Sequence, residues 1–201
     1  MDDRVYWMAL AMVPGIGPSR FQRLVEVFGS PAEVWRARPL DLAAAGLDAR
    51  SAESLLAFRK SFDLDAYARR VEQSGARVLT LDDAAYPERL KAASDPPPVL
   101  YMKGELLPAD AWPIAVVGTR RASAYGRHVA ERIAGDLARS GVTIVSGLAR
   151  GIDSFAHRAA IEAGGRTIAV LGNGIDRVYP PENARLAAAV AEHGALLSEF
   201  P

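Results

Sequence analysis

Cysteine is absent from this chain of 201 residues. That excludes disulfides, thiolate metal sites and a cysteine nucleophile. Net charge is absent as well, because 24 basic and 24 acidic residues cancel at pH 7. Bulk electrostatics therefore do not announce a nucleic-acid binder, and any such binding has to come from a local patch. Lysine is confined to Lys60, Lys91 and Lys103. The arginine bias fits a GC-rich coding sequence and bears only weakly on phosphate contacts. No long hydrophobic run occurs. The apolar stretch from Val5 to Val13 follows Asp2-Asp3-Arg4 and is too short for a membrane span or a signal peptide. The expectation is a soluble cytoplasmic protein with no membrane partner. Internal repeats, low-complexity tracts and a Walker A motif are also missing, and no His, Asp and Glu set has metal-ligand spacing. No metal and no cofactor are expected.

Half of the residues are hydrophobic, enough for one large core or two small ones. The first part reads as helices. Val5, Met8, Leu10, Met12 and Val13 open an apolar helix that Pro14-Gly15-Ile16-Gly17-Pro18 breaks. Phe21, Leu24, Val25 and Phe28 then share one helical face. Gly29-Ser30-Pro31 caps a short helix carrying Val34 and Trp35, and amphipathic stretches follow over 49–62 and 64–73. From Ala76 the pattern changes. Residues 77–81 and 99–102 read as strands, with a short helix over 87–93 between them. Regular units then begin, with strands over 114–117, 142–145, 167–171 and 195–197. Helices over 123–140, 153–163 and 182–193 separate them, closed by Gly141, Gly164-Gly165 and Gly194. Alternation at this spacing predicts right-handed crossovers and a parallel sheet. The domains are expected to be 1–75, helical, and 76–201, α/β.

Four loops follow the last four strands, and in a parallel sheet they share one edge, where ligands bind. Gly118-Thr119-Arg120-Arg121 leads to Ser123 at the start of a helix. A dinucleotide fingerprint needs three glycines here and an acidic residue after the next strand, and neither is present. What remains is a short turn with two arginines, whose planar forks suit phosphate. Arg120 is expected to point inward, with Arg121 the weaker candidate. The second loop is Ser146-Gly147-Leu148-Ala149-Arg150-Gly151-Ile152-Asp153. Gly147 and Gly151 permit close approach of backbone, Asp153 is placed to cap the next helix, and His157 is expected on that helix's surface. A hydrolytic Ser-His-Asp set is set aside, because no Gly-x-Ser-x-Gly elbow occurs. The third loop brings Gly172, Gly174, Asp176 and Arg177, then Tyr179-Pro180 and Asn183. Tyr179 could stack on a base, or Tyr179-Pro180 could pack on the sheet edge. The chain closes on Ser198-Glu199-Phe200-Pro201. Backbone amides and helix N-termini at this edge suit an anion. Near the N-terminus, Val13-Pro14-Gly15-Ile16-Gly17 resembles a helix–hairpin–helix turn. Only Arg20 and Arg23 lie close, so a plain turn in an interaction module is the favoured reading.

Taken together, several motifs in order resemble the DprA/Smf family. They are Gly118-Thr119-Arg120 with Ser123-x-Tyr125-Gly126, Ser146-Gly147-x-Ala149-x-Gly151-Ile152-Asp153, Gly172-x-Gly174-Ile175-Asp176 and Tyr179-Pro180. Tyr86-Pro87-x-x-Leu90 and Pro97-Pro98-Val99-Leu100-Tyr101 with Gly104 match that family's lead-in. The resemblance implies an extended Rossmann-like, mostly parallel sheet with helices on both faces, preceded by a small SAM-like or helix–hairpin–helix-like domain. It implies a single-stranded DNA-binding protein of natural transformation, without catalysis, that protects incoming strands and helps load the RecA recombinase. The resemblance implies Arg120 and the Ser146-Gly147-x-Ala149-x-Gly151 loop as parts of a DNA pocket, and with the loop reading the expected DNA-binding residues are Gly118, Thr119, Arg120, Arg121, Ser123, Ser146, Gly147, Ala149, Gly151, Asp153, Gly172, Gly174, Arg177 and Asn183. Many members have a basic residue after Tyr-Pro, where this chain has Pro181, so that contact is either missing or supplied by Arg177 or Arg185. Members also continue past Pro201, which makes the sheet domain look truncated and puts the expected homodimer and RecA contacts in doubt for this chain. Two alternatives stay open. One is a nucleotide-binding hydrolase of the lysine-decarboxylase-like group, although its Pro-Gly-Gly-x-Gly-Thr loop is missing. The other is a protein–protein adaptor that binds no DNA.

Overall fold

The computed structural model describes residues 3–201. They form two compact units, one of residues up to Gln73 together with Val78–Val99, the other of Ser74–Arg77 with Leu100–Pro201. The pattern reading put 78–99 with the sheet domain; here those residues group with the helices. The first unit contains α1 (Arg4–Ala11), α2 (Pro18–Phe28), α3 (Pro31–Arg36), α4 (Pro39–Ala44), α5 (Ala49–Ser61), α6 (Leu64–Gln73) and α7 (Glu88–Lys91). Their ends carry the punctuation that the sequence spells out. Ser30 and Asp48 accept the amides of Glu33 and Ser51 as N-caps, and Gly29 ends α2 in a left-handed conformation. Trp7 packs on Phe21, and Trp35 meets Phe58 and Phe62 edge-on. In the hairpin turn, Arg20 donates to the Gly15 carbonyl at 2.7 Å and pairs with Asp48 at 2.9 Å. That arginine is spent on holding the turn, which supports the plain reading of the hairpin.

The sheet has strands β1 (Arg77–Thr80), β2 (Val99–Gly104), β3 (Ile114–Ala115), β4 (Ile144–Ser146), β5 (Thr167–Leu171) and β6 (Gly194–Ser198) in the order β1-β2-β6-β5-β4-β3. From β3 to β6 the strands are parallel, and β2 runs antiparallel to β6. This is the mixed, mostly parallel α/β fold that the alternation predicts. The crossovers are α8 (Ala124–Arg139), α9 (Ile152–Glu162) and α10 (Ala184–His193). Each crossover advances one strand in the same direction, so the right-handed rule brings all three helices to one face. These crossovers therefore meet the expectation of helices on both faces on one side only. On the other side Val117 and Val170 stay exposed.

Small residues set the spacing on the helical face. Ala134 and Ala138 of α8 pack with Ala156, Ala159 and Ala160 of α9 over Ile144. The larger apolar residues of α8, Val129, Ile133 and Leu137 at one-turn spacing, are not its buried row, since Ile133 remains 49% exposed. Alanines let the two helix backbones close in, and a leucine row there would hold them apart. At the amino edge of the parallel strands, Asp110 accepts the Thr143 hydroxyl at 2.7 Å, two Arg166 nitrogens at 2.8 Å and the Leu107 amide at 2.8 Å. Burial works against its charge, but the Arg166 fork, Thr143 and the Leu107 amide together hold the Asp110 carboxyl below the ordinary aspartate value. The side chain is 5% exposed, so deleting it strands a guanidinium and a hydroxyl. Asp110→Ala should lower unfolding stability by about 3 kcal/mol, read as a drop in the urea midpoint at unchanged m-value.

Candidate nucleic-acid interface

The loops after β3, β4, β5 and β6 all leave the carboxyl ends of parallel strands. They also touch one another. The Ile152 amide donates to the Thr119 carbonyl at 3.2 Å, and a Cβ on Gly151, whose φ is 77°, would overlap that same carbonyl oxygen. Gly118 lies against Ile152, where a Cβ would come within 2.7 Å of Cγ1. Only glycine lets these two loops meet this closely. The third and fourth loops are joined by the Ile175 amide to the Phe200 carbonyl at 3.0 Å and by Ser198 Oγ to the Asn173 carbonyl at 2.7 Å.

The second loop is shaped from beneath. Asp153 does not cap its helix as the pattern suggests, because Gly151 is the N-cap. Its carboxylate turns back and accepts the amides of Gly147 at 3.1 Å and Ala149 at 3.3 Å. Ser154 Oγ donates to the Ala149 carbonyl. Asn183 donates to the Leu148 carbonyl at 2.8 Å and to Ser154 Oγ at 2.9 Å. Leu148 is thereby held at φ 58° with its side chain fully buried. A non-glycine residue in that region costs on the order of 1 kcal/mol and persists only where its surroundings over-determine it.

A cleft of about 270 Å³ opens above these loops. Its floor is main chain at Gly147, Ala149, Gly172 and Asn173, and its walls are Arg120, Arg150, Tyr179 and Pro180. The Arg120 side chain makes no hydrogen bond or ion pair among the described residues. Tyr179 keeps 59% of its surface exposed while Pro180 is buried, so the pair splits its two expected roles. Arg150 pairs with Glu182 of the segment after β5. That contact raises the Arg150 pKa and lowers that of Glu182, each chiefly through their mutual hydrogen bond.

Of the residues expected to contact a ligand, Arg120, Gly147, Ala149 and Gly172 line this cleft. The others do different work. Thr119 Oγ1 accepts the Arg121 amide, and the Arg121 side chain is not part of the lining. Ser123 caps α8 by accepting the Gly126 amide. Ser146 is buried and donates to the Val116 carbonyl. Gly118 and Gly151 pack the first two loops together, and Gly174 closes on the Pro201 carbonyl. Arg177 is exposed, and its carbonyl accepts from Asn173. Asp153 and Asn183 are 6% and 3% exposed, with their polar atoms turned inward. Both are corrected from ligand contacts to loop supports. The Gly147 and Ala149 amides are likewise used internally and do not cradle an anion. Sequence reasoning passes over Arg150, Asn173 and Pro180 as lining residues; a lone arginine between Ala149 and Gly151 in a small-residue loop was the available signal.

His157 corrects a further expectation. It is not on a helix surface but 0% exposed, with Nδ1 at 2.7 Å from Thr167 Oγ1. Thr167 donates its own proton to the Ile144 carbonyl, so the imidazole donates through Nδ1 and leaves Nε2 bare and without a partner. Among the described residues no cluster of three or more potential ligands could hold a metal. Nor, among the described residues, is any helix long and apolar enough to cross a membrane.

The sequence profile for DNA recombination-mediator protein A matches residues 77–201. Across its whole length the chain is 44% identical to protein Smf of Escherichia coli, covering 53% of that protein, and 37% identical to protein Smf of Synechocystis, covering 52%. It thus spans about half the length of these curated relatives. The crystal structure of DNA processing protein A from Streptococcus pneumoniae superposes with a TM-score of 0.78 at 30% identity, over all of this chain and 68% of that one. A structure of the Helicobacter pylori protein, described for its single-stranded DNA binding mode, superposes with a TM-score of 0.55 at 31% identity, over 63% of this chain and 57% of that one.

Burial pushes the His157 pKa down to about 4, against a weaker pull upward from Asp153. The unfolded chain therefore binds the proton first as pH falls. Stability from this group is complete above about pH 6.5 and is lost as pH falls towards about 4, a difference of about 3 kcal/mol over that window. His157→Gln can still donate to Thr167 but cannot titrate. Its urea midpoint should vary less between pH 7 and pH 4.5 than that of the parent, and equal pH dependence would remove His157 as the cause.

Proposed function

The chain belongs to the DNA recombination-mediator protein A family, and on that premise we propose that it binds single-stranded DNA in the cleft at the carboxyl edge of its sheet. The role is non-catalytic and serves DNA processing in transformation and recombination. The observation that carries this reading is the Arg120 guanidinium. Among the described residues it has no internal partner, and it lines a cleft with Gly147, Ala149, Gly172 and Asn173. An unpaired, permanently charged fork is a phosphate ligand in waiting. The exposed ring of Tyr179 gives a base a π-face to rest on, and such stacking tolerates any base.

The floor supports the same reading. Gly147, Ala149 and Gly172 put no functional groups into the cleft that could read base edges, so recognition falls on phosphate charge and on stacking. Such binding is weakly sequence-dependent and salt-sensitive. The anion is attracted by side-chain cations rather than by helix ends, because Ser123 caps α8 and Asp153 occupies the first turn of α9. Partnership with RecA and assembly into a homodimer are part of the same proposal. The family's description as a recombination mediator supports the first. The first unit contributes no known contact, since Arg20 at its hairpin is tied to Gly15 and Asp48.

Fluorescence anisotropy with labelled oligo-dT, across a salt series, tests the site. Each phosphate neutralised contributes about −0.7 to the slope of log K against log salt. Arg120→Ala should flatten that slope by about 0.7 and weaken binding uniformly across sequences. A duplex of equal length should bind more weakly. An unchanged slope and affinity would take Arg120 out of the interface.

A further inference from the structure

We propose that Glu182 is a built-in competitor for the DNA phosphate, holding Arg150 in an internal ion pair that an incoming strand has to exchange; the inference rests on the DNA-binding reading of the cleft. Two arginines line the cleft, and they are in different states. Arg120 has no internal partner, whereas Arg150 Nε is bound to Glu182 Oε1. The two partners are 32 residues apart in sequence. One follows β4 and the other follows β5, so the pair joins two of the loops that line the cleft, with Arg150 itself in the lining. Both side chains remain more than half or about half exposed, at 62% and 50%. A pair so open to water is weak and exchangeable, because solvent screens it and both chains have freedom to regain. The scaffold beneath it is fixed, since Asn183, next to Glu182, is buried and bonded to the Leu148 carbonyl and Ser154. The carboxylate can therefore release Arg150 without the loops moving.

The exchange has a thermodynamic signature. A phosphate that meets Arg120 gives up its counterion to bulk solution, and salt opposes that release. A phosphate that meets Arg150 displaces Glu182, and the carboxylate remains at the mouth as a negative charge. The net positive charge presented there is near zero, so this contact adds little to the salt slope. Removing the carboxylate turns Arg150 into a second free cation. The groups facing the pair are few. Beside Glu182, the Tyr179 hydroxyl also acts on Arg150.

The test uses the full chain, labelled oligo-dT and a salt series, with parent, Glu182→Gln, Arg150→Gln and the double variant. Glu182→Gln should bind on the order of threefold more tightly at low salt, the scale of an exposed pair, and its slope should steepen by about 0.7. In the Arg150→Gln background the same change should leave the slope where it was, because there is no arginine left to release. Equal affinity and slope for parent and Glu182→Gln would overturn the inference while leaving the cleft as a DNA site. Weaker binding by Glu182→Gln would also overturn it and make Glu182 a residue that positions Arg150. A gain of equal size with and without Arg150 would reduce Glu182 to general repulsion and overturn the exchange. Failure of the parent itself to bind oligo-dT would sink the DNA-binding reading first, and this inference with it. Because Glu182 is half exposed, its thermal unfolding midpoint should match the parent's, which separates a binding effect from a folding one.

Discussion

The carboxylate of Asp153 is bonded to two amides of the loop that precedes it, and the cleft follows from that arrangement. The Gly147 and Ala149 amides donate to that carboxylate, which sits in the first turn of α9, at the positive end of the helix. In doing so it consumes the very donors that small-residue loops usually offer to phosphate. The cleft is left with a neutral, rigid floor and with its positive charge at the rim. Asn183 and Ser154 complete the support, and Leu148 accepts a strained backbone as a result.

This division of labour separates shape from charge. The loops are shaped by side chains that point inward, and the ligand is attracted by side chains that point outward. The first group is buried and fully bonded, while Arg120 is unpartnered and Arg150 is on loan to Glu182. Alanine-rich packing between α8 and α9 belongs to the first group, because it fixes where the loops after β3 and β4 leave the sheet. A surface prepared in this way loses little conformational entropy when a flexible strand settles on it.

Much of the fold is legible in the residues. Glycine and proline punctuate the helices of the first unit, and four short apolar runs separated by helices announce parallel strands, all of which are found. The gathering of four loops at one edge follows from strand direction alone. What the pattern misses is direction at the level of single side chains. Asp153 looks like an N-cap because it begins an amphipathic stretch, but Gly151 reaches a positive φ and takes that place. His157 reads as a surface residue because histidine is polar, whereas a hydroxyl 10 residues away lets it be buried. Asn183 reads as a ligand contact and is a brace. For His157 and Asn183 the deciding partner lies 10 and 35 residues away, beyond any local rule, whereas Asp153 is decided by the backbone of a glycine in its own loop. The inward row of α8 was hidden for a different reason, since alanine is too small to dominate a periodicity argument and yet is the residue that close helix packing selects.

A floor made of backbone has a particular weakness. Where a binding surface is built of side chains, trimming them removes it. Here there is little to trim, and Gly151 and Gly174 sit so close to neighbouring main chain, and Gly118 to the Ile152 side chain, that one extra carbon has nowhere to go. Damage at this edge would come from atoms gained rather than atoms lost. A scan that only shortens residues would pass over the most sensitive ground in the molecule, and a scan that adds a methyl group would find it.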